Sequence, residues 1–350
     1  MQEQSQSQMQ SQASSQALVL SSKFWWQLLA SLIIGLLLCY LAFRNENFDL
    51  QKLKSISFSG FIAYWFVFAF AHWIRIARWG LFIKALTSNV SWWDLLKIGG
   101  IGYLCISILP FRIGEAIRPY MLQRQGILSA SASTATVVVE RVIDGLLFVC
   151  LFFIFLSILP PTQHTAVALV KMSALMAGIF FAVVLILLVF AYFKRAQTIA
   201  FIKSISDRIS TKLTEKGLGI LEAFLDGLAI LPKKNVLLGF LFLTLIYWVL
   251  QGISMVWLAQ AVGMYGLDWI ESFALLAILV VGIMLPAGPG YTGSFELALK
   301  GGFALVTIDN IEQIPIFIIV LHFAQLSVQI LFGVLAFLIP SQNHHQSLKP

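Results

Sequence analysis

Charged residues are scarce. Asp, Glu, Lys and Arg together make up 11% of the 350 residues, where a soluble domain carries roughly a quarter. So sparse a set cannot cover a globular surface with solvated groups, which excludes a soluble enzyme and an intrinsically disordered chain alike. Cysteine is scarcer still. Cys39, Cys105 and Cys150 each sit inside an apolar run with no C-x-x-C spacing, so neither a disulfide framework nor a zinc site is indicated. There is no G-x-S-x-G and no H-E-x-x-H, and Gly288-Pro-Gly290 lacks the Lys-Ser/Thr ending of a phosphate loop. No catalytic residue, metal ligand or cofactor is therefore assigned. Acid is rarer than base, 16 residues against 23, for a net charge of +7. Nucleic acid is not the partner this implies, because the basic residues form no clustered face. They read as the Lys/Arg excess of cytoplasmic loops.

What the chain has is apolar length. Hydrophobic residues make up 59%, and the mean hydropathy is +0.88. Apolar runs at 24–43, 57–83, 131–159, 166–193, 236–262 and 314–340 each reach the roughly 20 residues that cross a bilayer. Two more, 94–110 and 270–306, are shorter or broken, the first at Leu109-Pro110 and the second at Pro286-Ala-Gly-Pro-Gly290. Nothing alternates with period two. The fold class expected is an all-α polytopic membrane bundle of about six spans plus two re-entrant or interrupted hairpins. Residues 1–22 read as a disordered Gln/Ser tail, 23–340 as the transmembrane domain and 341–350 as a short C-terminal tail. The first run is longer than a signal-peptide core and no small-residue cleavage site follows it, so it reads as an uncleaved span. The basic loop 194–235 is expected to be cytoplasmic. The loop 160–165, without Lys or Arg, is expected to face outward. Counting crossings then puts 84–94, 111–129 and both termini in the cytoplasm and 263–270 outside.

Two segments read alike. Trp92-Trp-Asp94 leads through a Gly-containing apolar run to Leu109-Pro110 and Gly114-Glu115. Trp269-Ile-Glu271 leads through a similar run to Leu285-Pro286 and Gly293-Ser-Phe-Glu296. Set against the topology, they form an inverted repeat of broken hairpins, an arrangement common in secondary transporters.

The charges within or against apolar runs are Arg75, Arg78, Arg112, Glu115, Arg118, Glu140, Arg141, Asp144 and Glu296, five cations against four anions. Near-balance suggests pairing, since a lone charge in the membrane is expensive. Arg112 with Glu115, Glu115 with Arg118, and Arg141 with Asp144 are three apart on one helix face. Glu140 and Asp144 repel at i, i+4 unless a cation lies between them, and Arg112, Arg118 or Arg141 is the candidate. Arg75 and Arg78, at a predicted cytoplasmic end, are read as snorkelling. Glu140-Arg141-Asp144 is either an ion-pair knot or a headgroup site. Glu296 is either a helix-start carboxylate or part of that site. His72 and His322 read as satisfied polar contacts rather than ligands.

Taken together, the stretches from Gly102 to Glu115 with Arg118, from Val139 to Asp144, and from Leu285 to Glu296 resemble the lysylphosphatidylglycerol synthase transmembrane-region family, also described as flippase-like. The resemblance covers about 20–340. It implies a multi-spanning bacterial inner-membrane protein whose bifunctional members move an aminoacylated phospholipid across the bilayer. Those members carry a soluble aminoacyl-transferase domain after the spans. This chain stops soon after its last span, so synthase activity is not expected. Ser107 stands where the family often has Asn, and Tyr291-Thr292 where smaller apolar residues are usual. The expected partner is a membrane lipid, a phospholipid or other lipid-linked headgroup. Arg112, Arg118 and Arg141 would face phosphate. Glu115, Glu140, Asp144 and Glu296 would hold those arginines, meet an amino headgroup or take up a proton. Gly288, Pro289, Gly290 and Gly293 would form the break that lets backbone approach the ligand. The alternative is a non-transporting membrane partner of a lipid-modifying or glycosyl-transferring enzyme.

Overall fold

A computed structural model describes residues 22–44, 46, 50–109, 114–158, 165–207, 211–283, 288–304, 306 and 311–340. Residues 1–21 and 341–350, Arg112, Pro110, Leu285-Pro286 and most of the 160–165 loop lie outside the described residues, and Ser22, placed in the tail by the sequence, opens the first helix. Helices follow one another with no strand among the described residues: α1 (Ser22–Phe43), α2 (Phe58–Leu86), α3 (Trp92–Ile108), α4 (Ile117–Arg124), α5 (Ala130–Ile158), α6 (Thr165–Phe193), α7 (Arg195–Ser206), α8 (Thr211–Gly227), α9 (Lys234–Ala261), α10 (Trp269–Gly282), α11 (Ser294–Phe303) and α12 (Ile314–Leu338).

Length divides them into classes. α1, α2, α5, α6, α9 and α12 have 22 to 29 residues. At about 1.5 Å per residue each covers the roughly 30 Å of a bilayer core. Five of the six hold segments apolar enough to cross. The sixth, α5, is as long but carries Glu140, Arg141 and Asp144 along its length. α3 and α10, with 17 and 14 residues, reach only about 26 and 21 Å and fall short. The bundle is layered. In α12, 44% of the most apolar stretch is buried, against 17% in α1 and in α6. α12 is therefore central, while α1 and α6 turn side chains such as Ile33, Leu36, Ile179 and Ile186 to the outside, where only lipid would cover them.

The two Trp-led segments begin their helices in the same way. Ser91 accepts from the Asp94 N–H at 3.1 Å, and the Asp94 carboxylate accepts from the Ser91 N–H at 3.1 Å. Asp268 accepts from the Glu271 N–H at 2.8 Å, and Glu271 returns the bond to the Asp268 N–H at 3.2 Å. Both are reciprocal capping boxes that satisfy otherwise orphaned helix-start donors. Each helix is then folded back on by the next, α4 onto α3 and α11 onto α10. Gly114 makes the first return possible: a Cβ there would lie 2.2 Å from the Ile106 nitrogen.

The correspondence extends beyond the hairpins. Exchanging α2 with α9, α3 with α10, α4 with α11 and α5 with α12 maps the main packings onto one another. α3 packs on α12 as α10 packs on α5, and α2 packs directly on its counterpart α9. Polar contacts fix the directions. The Ser57 N–H, before α2, donates to the Ala261 carbonyl at the end of α9 at 2.8 Å. Lys233, before α9, donates to the Ala85 carbonyl near the end of α2. α2 and α9 are therefore antiparallel. Lys97 near the start of α3 reaches the Ile339 carbonyl after α12 at 2.7 Å, as Phe273 near the start of α10 stacks on Phe155 near the end of α5. α2 and its equivalent α9 run in opposite directions, as an inverted repeat requires.

Candidate functional site

The charges converge where α2, α4 and α5 meet. Arg78 is fully buried and grips Asp144 with both terminal nitrogens at 2.6 Å, a two-pronged carboxylate contact. The same guanidinium reaches Glu140 Oε1 at 3.3 Å and donates to the Thr244 hydroxyl of α9 at 3.0 Å. Thr244 passes its own proton to the Phe240 carbonyl at 2.7 Å. Arg118, also fully buried, donates from α4 to Glu140 Oε2 at 3.2 Å and to the Tyr103 hydroxyl at 3.3 Å, with its guanidinium over the Trp79 ring. Arg141 binds its neighbour Glu140 at 3.1 Å. Glu140 thus accepts from three arginines on three helices.

The cation between Glu140 and Asp144 is Arg78, which the sequence reading assigned to snorkelling. The expected Arg141–Asp144 pair does not form. α2 runs on to Leu86, which sets Arg78 two turns inside the helix, and α9 covers it with Phe240 and Tyr247 at 5.2 and 5.1 Å. Snorkelling needs an open path to water, and none remains.

Beside this knot lies a partly enclosed cavity of about 80 Å³. Arg75, Arg141, Asp144, Gln251, Gln325 and Gln329 supply its polar wall, and Tyr291 and Phe295 from the second hairpin close one side. Arg75, Asp144, Gln251 and Gln325 all sit near the middle of long helices, so the cavity lies about midway along the bundle. It holds room for several waters. Arg75 stacks on the Tyr103 ring with its guanidinium carbon 4.1 Å from the centroid. It meets no carboxylate among the described residues. Its Nε and that of Arg141 are buried without an acceptor among those residues.

The second hairpin is pinned rather than open. Gly293 donates its N–H to Glu296 at 2.7 Å, so the α11 start is already filled by its own carboxylate. His322 of α12 meets Glu296 through Nδ1 at 2.6 Å and the Gly290 carbonyl through Nε2 at 2.7 Å. Nε2 must carry a proton, because a carbonyl only accepts. Gly293, at φ 91°, rests on α1: a Cβ there would lie 2.4 Å from the Gly35 carbonyl oxygen.

Of the residues singled out in sequence, Arg141 and Asp144 reach the cavity wall. Arg118 and Glu140 lie behind it in the ion-pair knot. Glu115 is half-buried on the first hairpin and within electrostatic reach of Arg141. Gly288, Pro289, Gly290, Gly293 and Glu296 shape the loop that presents Tyr291. The cavity lies between the second hairpin and the long helices, and α3 of the first hairpin supports it from behind through Tyr103 and through Ser107, which donates to Gln329. His322 is the satisfied contact expected of it. His72 is not: its Nε2 has no partner among the described residues, and the Tyr103 and Phe332 rings face it at 4.8 and 5.0 Å. Sequence reasoning missed Gln251, Gln325 and Gln329, and it read Arg75 as snorkelling, whereas Arg75 turns into the cavity wall over the Tyr103 ring. The available signal was amide side chains within apolar runs, with Gln325 and Gln329 one turn apart on one face of α12.

These elements lie in one continuous stretch of chain. The family model for the lysylphosphatidylglycerol synthase transmembrane region matches residues 27–333. The chain belongs to that family. Searches of curated proteins and of solved structures gave no match. Within this lysylphosphatidylglycerol synthase transmembrane region, the matched stretch holds both hairpins, the ion-pair knot and every cavity residue, so the site lies wholly inside the family's shared domain.

Proposed function

We propose that this integral multi-pass membrane protein moves a phospholipid or other lipid-linked polar headgroup between leaflets. One observation carries the reading: a polar cavity with two guanidiniums on its wall sits at mid-helix depth in a bundle whose outer faces are apolar. Polar groups at that depth are expensive. A static scaffold would be better served by apolar packing there. The inverted repeat supplies a second line of support, since two halves of opposite direction can open the same cavity to either side by rocking against each other. Headgroup phosphate would meet Arg75 and Arg141, the acyl chains would stay in lipid, and Tyr291 would close the headgroup path on the hairpin side. The chain acts in a bacterial inner membrane with both termini cytoplasmic, an orientation supported by the basic loop 194–235, and carries out transport rather than aminoacyl transfer.

Reconstitution into vesicles with labelled lipids of several headgroup classes tests this. Faster loss of leaflet asymmetry than in protein-free vesicles is expected. Equal rates for every headgroup, with and without protein, would favour the scaffold reading, in which the charge knot only pins helices beside a lipid-modifying enzyme.

A further inference from the structure

The charges around the cavity do not balance. Glu140 lies among four guanidiniums, those of Arg118, Arg141, Arg78 and Arg75. Against these four stand Glu140 and Asp144, with Glu115 farther out beside Arg141. Even with Glu115 counted in full, one cation among the described residues is left over. Geometry says which it is. Asp144 is held by Arg78 through two short bonds. Glu140 is shared by Arg118, Arg141 and Arg78. Arg75 lies over the face of Tyr103 and makes no ion pair among the described residues. Cation–π attraction is weak beside what an uncompensated charge costs at the centre of a bilayer.

The surplus also has a direction. Arg75 and Arg141 line the same cavity, each with a buried Nε that lacks an acceptor. The other donors and acceptors on that wall are the amides of Gln251, Gln325 and Gln329, the ring hydroxyls of Tyr247 and Tyr291 and the Trp248 indole N–H, which points to Asp144. The wall's single carboxylate among the described residues, Asp144, is occupied by Arg78. A cationic group entering this cavity would find no free carboxylate, whereas an anion would find two guanidiniums and three amides.

We propose that Arg75, together with Arg141, binds the phosphodiester of a net-anionic lipid headgroup and makes the cavity select such lipids over zwitterionic and cationic ones. This rests on the transport reading but concerns selectivity, and the two can fail separately. A guanidinium presents its donors in a plane that matches two phosphate oxygens, and Tyr103 beneath Arg75 holds that plane in place.

Native mass spectrometry of the full chain in neutral detergent, offered equimolar phosphatidylglycerol and phosphatidylcholine, tests the assignment. The wild type should retain the anionic lipid about tenfold over the choline lipid, the factor that corresponds to about 1.4 kcal/mol. Arg75→Gln should bring the ratio close to parity. Arg75→Lys should keep most of it, because the charge survives. Lys84→Gln, which removes a cation stacked on Trp92 away from the cavity, should leave the ratio unchanged and controls for overall charge. If Arg75→Gln does not fold, Arg75→Lys together with Arg141→Lys replaces it, and a severalfold loss of preference is expected as both planar forks are lost. Parity in the wild type, or an unchanged ratio in Arg75→Gln or in the double lysine variant, overturns the proposal. Retention of inorganic phosphate without any lipid preference overturns it as well, in favour of a free-anion site. In vesicles, selective binding without leaflet exchange would refute transport and leave the site standing. Exchange with no headgroup preference would do the reverse.

Discussion

Arg78→Met removes the guanidinium at the centre of the ion-pair knot and keeps much of its volume. Glu140 would retain Arg118 at 3.2 Å and Arg141 at 3.1 Å. Asp144 would retain only the Trp248 indole N–H at 3.5 Å, at the outer limit of a hydrogen bond. The loss therefore concentrates on one buried carboxylate, and breaking a buried pair from one side costs about 3–5 kcal/mol. Thr244 would lose a donor but keep its bond to the Phe240 carbonyl. Arg78→Met with Asp144→Leu should recover all but about 1 kcal/mol, because both ends of the pair leave together. Denaturant unfolding in mixed micelles, followed by tryptophan fluorescence, measures all three variants. Arg195→Met supplies the scale, since Arg195 and Asp226 pair at 2.5 Å with both side chains about half exposed, and such pairs contribute about 0–1 kcal/mol. An Arg78→Met loss no larger than that of Arg195→Met would refute the reasoning. A double variant less stable than the single would refute it too.

Further outcomes follow from the hairpins and their orientation. Gly114→Ala places a Cβ 2.2 Å from backbone at Ile106, so the first hairpin must open, and a loss of at least about 2 kcal/mol or a collapse in folded yield is expected. His322→Ala leaves the Gly290 carbonyl without its partner, while Glu296 keeps the Gly293 N–H; a loss of about 1–3 kcal/mol should appear in the same unfolding assay, the cost of one orphaned buried group. Cysteines at Asn89 and Tyr265, in a background without native cysteines, should label with an impermeant thiol reagent from opposite sides of the membrane, because α2 and α9 run antiparallel; labelling from one side would contradict the inverted repeat.

The long helices were legible because 20 or more apolar residues leave one structure open in a bilayer. Both hairpins were legible in their Trp-x-acid openings, which encode a helix cap within a few residues. The partner of Asp144 was not. Arg78 stands 66 positions away in sequence, and its burial is decided by how α9 crosses α2, which no local pattern records. Helical spacing favoured Arg141 with Asp144, but Glu140 competes for Arg141 and Arg78 meets Asp144 from the facing helix. The cavity was half legible: Arg141 and Asp144 stood out by charge, whereas Gln251, Gln325 and Gln329 carry none. Glu296 stood out as well, yet its role became visible only when α12 brought His322 against it.

The account stands most directly on whether headgroups pass through the central cavity. Leu279 lines that cavity and is 3% exposed, so Leu279→Trp should fill most of its free space. Leaflet exchange of labelled phosphatidylglycerol in vesicles, measured for wild type and for Leu279→Trp protein that elutes as a folded species, is the decisive measurement. The account predicts exchange well above protein-free vesicles for the wild type and a fall of at least about tenfold for the filled variant. Equal exchange by the two proteins would contradict it.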